Sequence, residues 1–282
     1  MRIIEDPSEL VGPEFQGCGF VPTMGALHSG HGSLVTRALQ DGRPVVVSIF
    51  VNPTQFGPKE DYVRYPRTLD SDCALLEPLG AAAVFVPSVE AIYPRGLEAA
   101  RTEAAALALP DVATKPMLED ACRPTHFGGV ALVVGRLFDL VRPSAAYFGE
   151  KDFQQLRLVQ DMVAADRARF GGLRVVPCAT VRERDGLAMS SRNRYLSAEE
   201  RTAAIALSRA LQVAHSAQRV DTAERLMQQT LESFGLEVEY AVVRDATTLM
   251  PVAGFERPTR ALIAARLGST RLIDNAAMTV WR

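Results

Sequence analysis

The sequence has few residues suited to metal binding or redox chemistry. Its four cysteines, Cys18, Cys73, Cys122 and Cys178, are widely spaced, and no two of them form a Cys-x-x-Cys pair. Such spacing is typical of reduced packing residues in a cytoplasmic protein and predicts neither a disulfide framework nor a zinc site. Only four histidines and three lysines are present, although arginine is plentiful. A cluster of histidine or lysine is therefore conspicuous in this chain.

Long apolar runs and a strong net charge are also missing. The longest apolar stretches, such as 45–51, are far shorter than the roughly 20 residues that span a bilayer. The N-terminal residues 1–10 include acidic side chains where a secretory signal would be apolar. The formal net charge of −2 provides no basic field that would attract nucleic acid or anionic membrane. We therefore expect a cytoplasmic protein without a nucleic-acid or membrane partner, in which any phosphate chemistry must depend on local groups.

Short apolar runs alternate with helix-like segments over the first 180 residues. The apolar runs lack polar alternation, as parallel strands covered on both faces should; they are 19–22, 44–51, 82–87, 145–149 and 173–178. Helical spacing marks the segments 33–41, 69–79, 130–141 and 152–165. This alternation predicts a parallel α/β sheet, in which ligands bind beyond the carboxyl ends of the strands.

The pattern changes after about residue 181. A polar loop leads into a helix that Ser197 can cap, with Glu200 three residues later as the partner of a capping box. A second helix near 222–234 and two strand-like runs, 235–245 and 260–275, follow, with a Gly-Ser turn between apolar segments. We predict a first domain over residues 1–179 and a smaller α+β domain over 180–282, in which Trp281 serves packing.

The segment PTMGALHSGH, residues 22–31, lies where a predicted strand ends and a helix begins. Free backbone N–H groups and the positive end of the helix dipole should face the ligand there. Gly25 and Gly30 permit close backbone approach, and His28 and His31 can donate to phosphate oxygens as charge develops. The alternative is a pair of surface histidines at a helix start.

The segment SIFVNPTQFGP, residues 48–58, carries a strand directly into amide side chains. Asn52 and Gln55 offer donors and acceptors that suit a hydroxy acid with a carboxylate, although Asn-Pro is also a common turn. The polar stretch that follows, up to Arg67, is expected to form a flap over the site.

In GEKDFQQ, residues 149–155, Lys151 would lie beside a helix N-terminus and hold α- and β-phosphates. Asp152 would cap that helix or accept hydrogen bonds from a ribose. The alternative for this Glu-Lys-Asp run is a solvated turn.

In the loop GLAMSSRN, residues 186–193, two serine hydroxyls and Arg192 match a β,γ-diphosphate leaving group. Such a composition is also common in ordinary loops. Arg123, before a predicted helix, could pair with a substrate carboxylate, whereas His126 is interpreted as structural and His215 as a surface residue.

Together these segments resemble the pantothenate synthetase family of HxGH nucleotidyltransferases. PTMGALHSGH, VSIFVNPTQFGP, YPRT, RPTHFGGV, YFGEKDFQQL and GLAMSSRNRYLS occur in the family's order, and the resemblance runs from about residue 20 to 275. It implies a Rossmann-like ATP- and pantoate-binding domain, a smaller C-terminal lid domain, a homodimer, and ATP with Mg²⁺. The implied reaction condenses pantoate with β-alanine through a pantoyl adenylate and releases AMP and pyrophosphate.

The resemblance also implies roles for individual residues. Those expected to bind ATP are Met24, Gly25, Ala26, Leu27, His28, Ser29, Gly30, His31, Gly149, Glu150, Lys151, Asp152, Val181, Met189, Ser190, Ser191 and Arg192. Among them His28, His31 and Lys151 would be catalytic, with His31 as proton donor. Gln55 and Gln155 would bind pantoate, with Gln55 also near β-alanine, and we add Asn52 and Arg123 as candidate substrate contacts. No protein ligand to a metal is predicted.

Two positions depart from the family pattern. Ser29 stands where an acidic or similar residue is usual, and Gly32 where a larger one is usual. A glycine in the first helical turn costs about 1 kcal/mol relative to alanine. These departures leave open a catalytically silent paralogue that binds nucleotide or a protein partner. A second alternative, within catalysis, is a plain nucleotidyltransferase with a stable dinucleotide-like product.

Overall fold

Six parallel strands form the larger sheet of the computed structural model, which describes residues 1–57 and 60–278. The strands are β1 Arg2–Ile4, β2 Gly19–Thr23, β3 Val45–Ile49, β4 Ala83–Phe85, β5 Ala145–Gly149 and β6 Arg174–Cys178. Their order is β1-β4-β3-β2-β5-β6. The chain runs outward in one direction through β3 and β4 and in the other through β5 and β6. The carboxyl ends of β2 and β5 therefore flank the switch point at which parallel α/β sheets bind ligands.

Among the described residues up to the end of β6 there are eight α-helices. They are α1 Ser29–Gln40, α2 Leu69–Leu76, α3 Val89–Ile92, α4 Leu97–Ala106, α5 Glu119–Cys122, α6 His126–Val141, α7 Phe153–Ala165 and α8 Arg167–Phe170. Helix α6 is buried along almost its whole length. A Cβ atom at Gly129 would lie 2.3 Å from the carbonyl oxygen of Thr54, so only glycine lets α6 approach the turn that carries Gln55.

Three antiparallel strands form the second sheet: β7 Glu237–Asp245, β8 Thr259–Leu267 and β9 Thr270–Met278. They follow the helices α9 Ala198–Ala203, α10 Ala206–Ala214 and α11 Val220–Ser233. Leu207, Leu211 and Met227 from α10 and α11 share an apolar core with this sheet. Leu262 and the partly buried Tyr240 pack instead into the core of the larger sheet. The second sheet therefore joins two cores.

The structure confirms all five predicted strands and the capping box of Ser197 and Glu200. The three-residue strand β1 was not predicted. The expectation that every strand is covered on both faces is wrong for β6, which is an edge strand with partly exposed residues. The run predicted over 260–275 is a hairpin of two strands that turns at Gly268, where φ is +53°.

Asp152 precedes α7 as predicted, but its carboxylate makes no capping hydrogen bond. The carboxylate lies instead beside Lys151, within a short 3-10 turn over Glu150–Asp152. The division at residues 179 and 180 stays a prediction, and Trp281 lies outside the described residues. Within the ranges that the structure describes, no helix has the length and apolarity needed to cross a bilayer.

Candidate active site

One cavity at the carboxyl ends of β2 and β5 brings together side chains from distant parts of the sequence. The predicted site residues that line it are Met24, His28, Gly30, His31, Asn52, Gln55, Arg123, Gly149, Lys151, Asp152, Gln155, Val181, Met189, Ser190, Ser191 and Arg192. Three segments therefore face the same space. They are residues 22–31 (the HxGH turn), residues 149–152 (the lysine turn) and residues 186–193 (the serine loop). Tyr65 of the flap also lines this space, as does the buried His126.

Five residues predicted to bind ATP do not line this cavity: Gly25, Ala26, Leu27, Ser29 and Glu150. The backbone N–H groups of Gly25, Ala26 and Leu27 were expected to be free for a ligand. This expectation is wrong, because all three donate to side chains of the protein.

The buried carboxylate of Asp72, on α2, occupies that backbone. Its oxygens accept hydrogen bonds from the N–H groups of Ala26 at 3.0 Å and Leu27 at 2.8 Å. The N–H of Gly25 donates to the Thr23 hydroxyl at 3.1 Å. Backbone φ angles of +82° at Gly25 and +52° at Ala26 give the turn this shape. Asp72 therefore holds the HxGH turn from within the protein.

The rings of His28 and His31 pack against each other at an interplanar angle of 38°, with their centroids 4.1 Å apart. Burial lowers the pKa of His28 to about 4, with Lys151 adding to the effect. Burial likewise lowers the pKa of His31 to about 3, assisted by His28. Nδ1 of His31 accepts a hydrogen bond of 3.3 Å from the His28 backbone N–H, so the neutral ring carries its proton on Nε2. Near neutral pH His31 is thus an uncharged Nε2–H donor.

Gly30 provides the room that the His28 ring occupies. A Cβ atom at position 30 would lie 2.9 Å from ring atoms of His28 and 3.6 Å from the Cβ of Met189. The Ser29 hydroxyl contacts the Met189 sulfur at 2.8 Å. Nδ1 of His28 is buried and has no hydrogen-bond partner among the described residues. The start of α1 therefore packs against the loop that follows residue 186.

Gln55 is buried and is oriented by protein contacts on both ends of its amide. Its oxygen accepts a hydrogen bond from Asn52 Nδ2 at 3.1 Å, and its nitrogen contacts the Met24 sulfur at 2.9 Å. Asn52 donates its second amide hydrogen to the carbonyl oxygen of Gly129 at 3.2 Å, and its own oxygen accepts from the Tyr93 hydroxyl at 2.7 Å. All donors of Asn52 are thus engaged within the protein. This is at odds with the prediction that Asn52 contacts substrate directly.

Lys151 lies in the turn between β5 and α7, with Nζ 3.6 Å from Asp152 Oδ1. Burial opposes ionisation of Asp152, but the neighbouring cations Lys151 and Arg192 outweigh it, so the pKa of this carboxyl is lowered. Glu150 turns away from the cavity and pairs with Arg260 of β8 at 2.9 Å. This pairing explains why Glu150 does not line the predicted ATP site.

The flap places carboxylates on both arginines that were predicted to bind anions. Asp61 accepts hydrogen bonds from Arg192 at 3.2 and 3.3 Å. Glu60 accepts a bidentate pair from Arg123 at 2.6 and 2.9 Å. The pKa of Glu60 is about 2, because the pairing with Arg123 outweighs its burial. In this structure the guanidinium of Arg123 is therefore bound to a protein carboxylate, which the sequence-based prediction did not foresee.

Hydroxyl groups also connect the flap to the serine loop and to Tyr195, which follows it. The Tyr65 hydroxyl lies 3.3 Å from Ser191 Oγ, and the Tyr195 hydroxyl donates to the carbonyl oxygen of Arg64 at 3.3 Å.

His126, predicted to be structural, lies with Nδ1 3.0 Å from the carbonyl oxygen of Gln55. Burial lowers the pKa of His126 to about 4.

Asp72 is the functional residue that sequence reasoning missed. One signal was available: Asp72 lies three residues after Leu69 and four before Leu76, on the face of α2 that carries these apolar residues. A carboxylate on such a face needs hydrogen-bond partners, which the Ala26 and Leu27 backbone supplies.

Protein groups that could hold a metal ion are sparse around the cavity. Among the described residues, no cluster of three or more histidine, cysteine, aspartate or glutamate side chains has a suitable arrangement. Asp152 nevertheless offers a carboxylate to the cavity. Mg²⁺ usually keeps several waters and binds one or two carboxylates together with substrate phosphates. A single carboxylate is therefore compatible with Mg²⁺ that enters with a nucleotide.

Comparisons with known proteins agree on one family. A family model described as pantoate-beta-alanine ligase matches residues 7–277. A pantothenate synthetase from Rubrobacter xylanophilus is 49% identical over 273 residues, which cover 92% of this chain and 90% of the relative.

Solved structures give the same result. A pantothenate synthetase from Thermus thermophilus has a TM-score of 0.89 at 44% identity, covering 98% of this chain and 99% of that one. A pantoate-beta-alanine ligase from Francisella tularensis, in complex with beta-gamma ATP and beta-alanine, has a TM-score of 0.78 at 32% identity, covering 98% and 97%. This chain therefore belongs to the pantoate-beta-alanine ligase family.

Proposed function

We propose that this protein joins pantoate to β-alanine at the expense of ATP, forming pantothenate, AMP and pyrophosphate. The observation that carries the proposal is the shared cavity, in which the HxGH turn, Lys151 and the Ser190–Arg192 loop meet. Imidazole, ammonium, hydroxyl and guanidinium groups around one space suit a triphosphate. Membership of the ligase family favours pantoate and β-alanine as the other substrates.

In the first step the pantoate carboxylate would attack the α-phosphorus of ATP, and the bond from that phosphorus to pyrophosphate would break. Two anions must approach each other, so the protein's task is to position them and to offset the developing charge. We assign Lys151, Ser190, Ser191 and Arg192 to the phosphates, with pyrophosphate leaving toward the serine loop. The product of this step would be a pantoyl adenylate.

The two histidines would act in this step as neutral donors. The pKa of each lies far below 7, so no proton need be gained before ATP binds. His31 Nε2–H would donate to a phosphate oxygen as negative charge develops there. His28, whose buried Nδ1 lacks a partner among the described residues, is the second candidate for hydrogen bonding with the nucleotide.

We propose that the predicted pantoate site comprises Gln55 and Gln155, with Asn52 in a supporting role. Asn52 fixes the orientation of the Gln55 amide through its 3.1 Å hydrogen bond. Arg123 would bind a substrate carboxylate only after exchanging its pair with Glu60.

In the second step the neutral amine of β-alanine would attack the acyl carbon. A C–N bond forms, the C–O bond to AMP breaks, and the amine proton is lost to solvent. The flap, anchored to the serine loop through Tyr65 and Ser191, would limit the access of water to the mixed anhydride.

Mg²⁺, implied by the family, would be held by the nucleotide phosphates together with Asp152, and it would neutralise charge on the leaving pyrophosphate. We also propose a homodimer in the cytoplasm, and a C-terminal domain that closes over the substrates. Light scattering coupled to size-exclusion chromatography would measure the oligomeric state, and a purely monomeric protein would contradict the dimer.

A two-stage assay tests the function. The protein is incubated with ATP, Mg²⁺ and pantoate, β-alanine is then added, and AMP and pantothenate are measured. We expect pyrophosphate to form before β-alanine is added and most AMP to appear afterwards. Pyrophosphate release without any AMP after β-alanine is added would favour the plain nucleotidyltransferase, and an absence of pyrophosphate as well as AMP and pantothenate would favour the silent paralogue.

Substitutions test the assigned residues. Lys151→Ala and His31→Ala should each lower turnover by roughly 10²-fold, the range seen when one donor to a developing oxyanion is removed. Lys115→Ala and His215→Ala are matched controls, because these residues do not line the cavity. Near-normal turnover of the Lys151 and His31 variants would refute the assigned roles.

A further inference from the structure

Two consecutive residues of β9 are connected to the two segments that we assign to the ATP phosphates: Asn275 contacts the lysine turn directly, and Asp274 reaches the serine loop through Arg182. The lysine turn and the serine loop are far apart in sequence, and neither is a regular helix or strand of the larger sheet. Both strand residues are buried, with 2% and 3% of their surface exposed. Buried polar side chains require partners, and the partners identify what these residues do.

Asn275 holds the lysine turn by its main chain. Its Nδ2 donates to the carbonyl oxygens of Glu150 at 3.0 Å and Lys151 at 2.7 Å. Its Oδ1 accepts from Arg260, whose guanidinium also pairs with the Glu150 carboxylate at 2.9 Å. Arg260 lies over the ring of Phe153, 3.8 Å from the centroid. The turn is therefore fixed at its main chain, at its first side chain and at the start of α7.

Asp274 holds the base of the serine loop. Its carboxylate accepts hydrogen bonds from Arg182 at 2.6 and 3.0 Å and from the Asn275 N–H at 2.8 Å. Arg182 is bridged to Ala188 and donates to the carbonyl oxygen of Gly186 at 3.1 Å. The loop bearing Ser190, Ser191 and Arg192 begins directly after this small hairpin.

We propose that Asp274 and Asn275 are positioning residues that fix the lysine turn and the serine loop relative to each other. Both hydrogens of the Asn275 amide are used on carbonyl oxygens, so Asn275 has no donor left for a ligand and acts only through Lys151. The inference rests on the proposed role of Lys151. It adds that the second sheet supports adenylate formation through β9, with Arg260 of β8 as a further contact to the lysine turn.

The test uses Asn275→Asp, which keeps an oxygen for Arg260 but replaces the donor that faces two carbonyl groups. Pantoate-dependent exchange of pyrophosphate into ATP measures adenylate formation alone. We expect this rate to fall about 10- to 100-fold, since a displacement of about 1 Å in a positioned group has effects of that size. Aminolysis of added pantoyl adenylate by β-alanine should fall less than about threefold, because no triphosphate takes part.

A double-mutant cycle separates positioning from general destabilisation. In a Lys151→Ala background, Asn275→Asp should lower the exchange rate by less than about threefold further, because residues acting through one contact are not additive. Arg244→Met is the matched control, since Arg244 pairs with Glu224 inside the C-terminal part of the chain. Fully additive losses, or equal losses in both half-reactions, would overturn the proposal.

Hydrogen exchange gives a readout independent of activity. A peptide spanning residues 149–156 should exchange faster in Asn275→Asp than in the wild type, and unchanged protection would overturn the proposal. Wild-type protein without pantoate-dependent exchange would instead refute the proposed function. The two failures are therefore distinguishable.

Discussion

At the scale of single residues, burial keeps three histidines around the cavity neutral. His28, His31 and His126 have pKa values of about 4, 3 and 4, well below the ordinary value for histidine. A buried neutral imidazole donates or accepts hydrogen bonds without the desolvation cost of a charge. Each of these neutral rings can therefore pack in a buried position and still take part in hydrogen bonds.

This burial predicts sensitivity to acid. The pKa of His126 is lower in the folded protein than the unfolded value of 6.5, so folding favours the neutral ring. The stability that the neutral ring contributes is fully present above pH 6.5 and is lost as the pH falls toward 4. For His126 we expect a loss of about 2 kcal/mol between pH 7.5 and 5.0. His126→Asn should remove that part of the pH dependence, measured by urea unfolding at both pH values. His215→Asn is the control, and equal slopes for the two variants would contradict the prediction.

Substitution by alanine should lower turnover at Gly30 but not at Gly32. At Gly30 the new methyl group would press on the His28 ring at 2.9 Å, so we expect turnover to fall by up to about 10²-fold. The melting temperature should hold or rise, because alanine favours helix by about 1 kcal/mol. At Gly32 the methyl group would meet Leu79 at 3.2 Å, away from the cavity, so turnover should be retained. Turnover and thermal melting of both variants check this, and an inactive Gly32→Ala would refute the distinction.

At the scale of elements, two carboxylates of the flap occupy Arg123 and Arg192, the arginines that we propose for substrate anions. We expect Asp61→Asn to lower the KM for ATP by at most about fivefold, the range of a partly exposed ion pair, because Arg192 is then free to bind phosphate. The KM for β-alanine should stay unchanged. Asp70→Asn, at an exposed position of α2, serves as the control. Steady-state kinetics with each substrate varied would decide, and a raised KM for ATP would contradict this view of the flap.

The sequence predicted elements better than it predicted contacts. Four of the five apolar runs are strands whose valine, alanine and phenylalanine side chains are buried, as expected for a parallel sheet covered by helices, whereas the fifth run forms the partly exposed strand β6. The shared cavity also followed from strand ends meeting at one edge of the sheet. The engagement of the Ala26 and Leu27 backbone by Asp72 could not be predicted, because 45 or more residues separate the partners. The same holds for Glu60 and Asp61, whose partners are fixed by tertiary packing alone.

At the scale of the whole molecule, a buried ionic cluster joins the second sheet to helix α5, in the part of the chain that forms the larger sheet. Glu119 of α5 accepts hydrogen bonds from Arg271 of β9 at 2.6 and 2.8 Å and from the Tyr240 hydroxyl of β7 at 2.7 Å. Burial disfavours the charge on Glu119, but Arg271 and Tyr240 more than offset it, so its pKa is lowered. Removing Glu119 would leave Arg271 with Glu239 as its remaining partner, at 2.7 Å, and would deprive the Tyr240 hydroxyl of this acceptor.

We therefore expect Glu119→Ala to lower the free energy of unfolding by about 3 kcal/mol, the lower end for a broken buried pair. Glu98→Ala, which removes the exposed partner of Arg101, should change stability by less than about 0.5 kcal/mol. Chemical denaturation of both variants measures the difference. Equal stability of the two would show that the cluster does not join the second sheet to α5 energetically.

The carboxylates of Glu60 and Asp61 have one further consequence. A substrate anion that reaches Arg123 or Arg192 exchanges one negative partner for another, so the number of ion pairs at these two arginines is the same before and after binding. Dissolved salt weakens the internal pairs and the new ones alike. Capture of anions at these positions is therefore expected to depend only shallowly on ionic strength, in contrast to enzymes whose cationic pockets are bare before the ligand arrives.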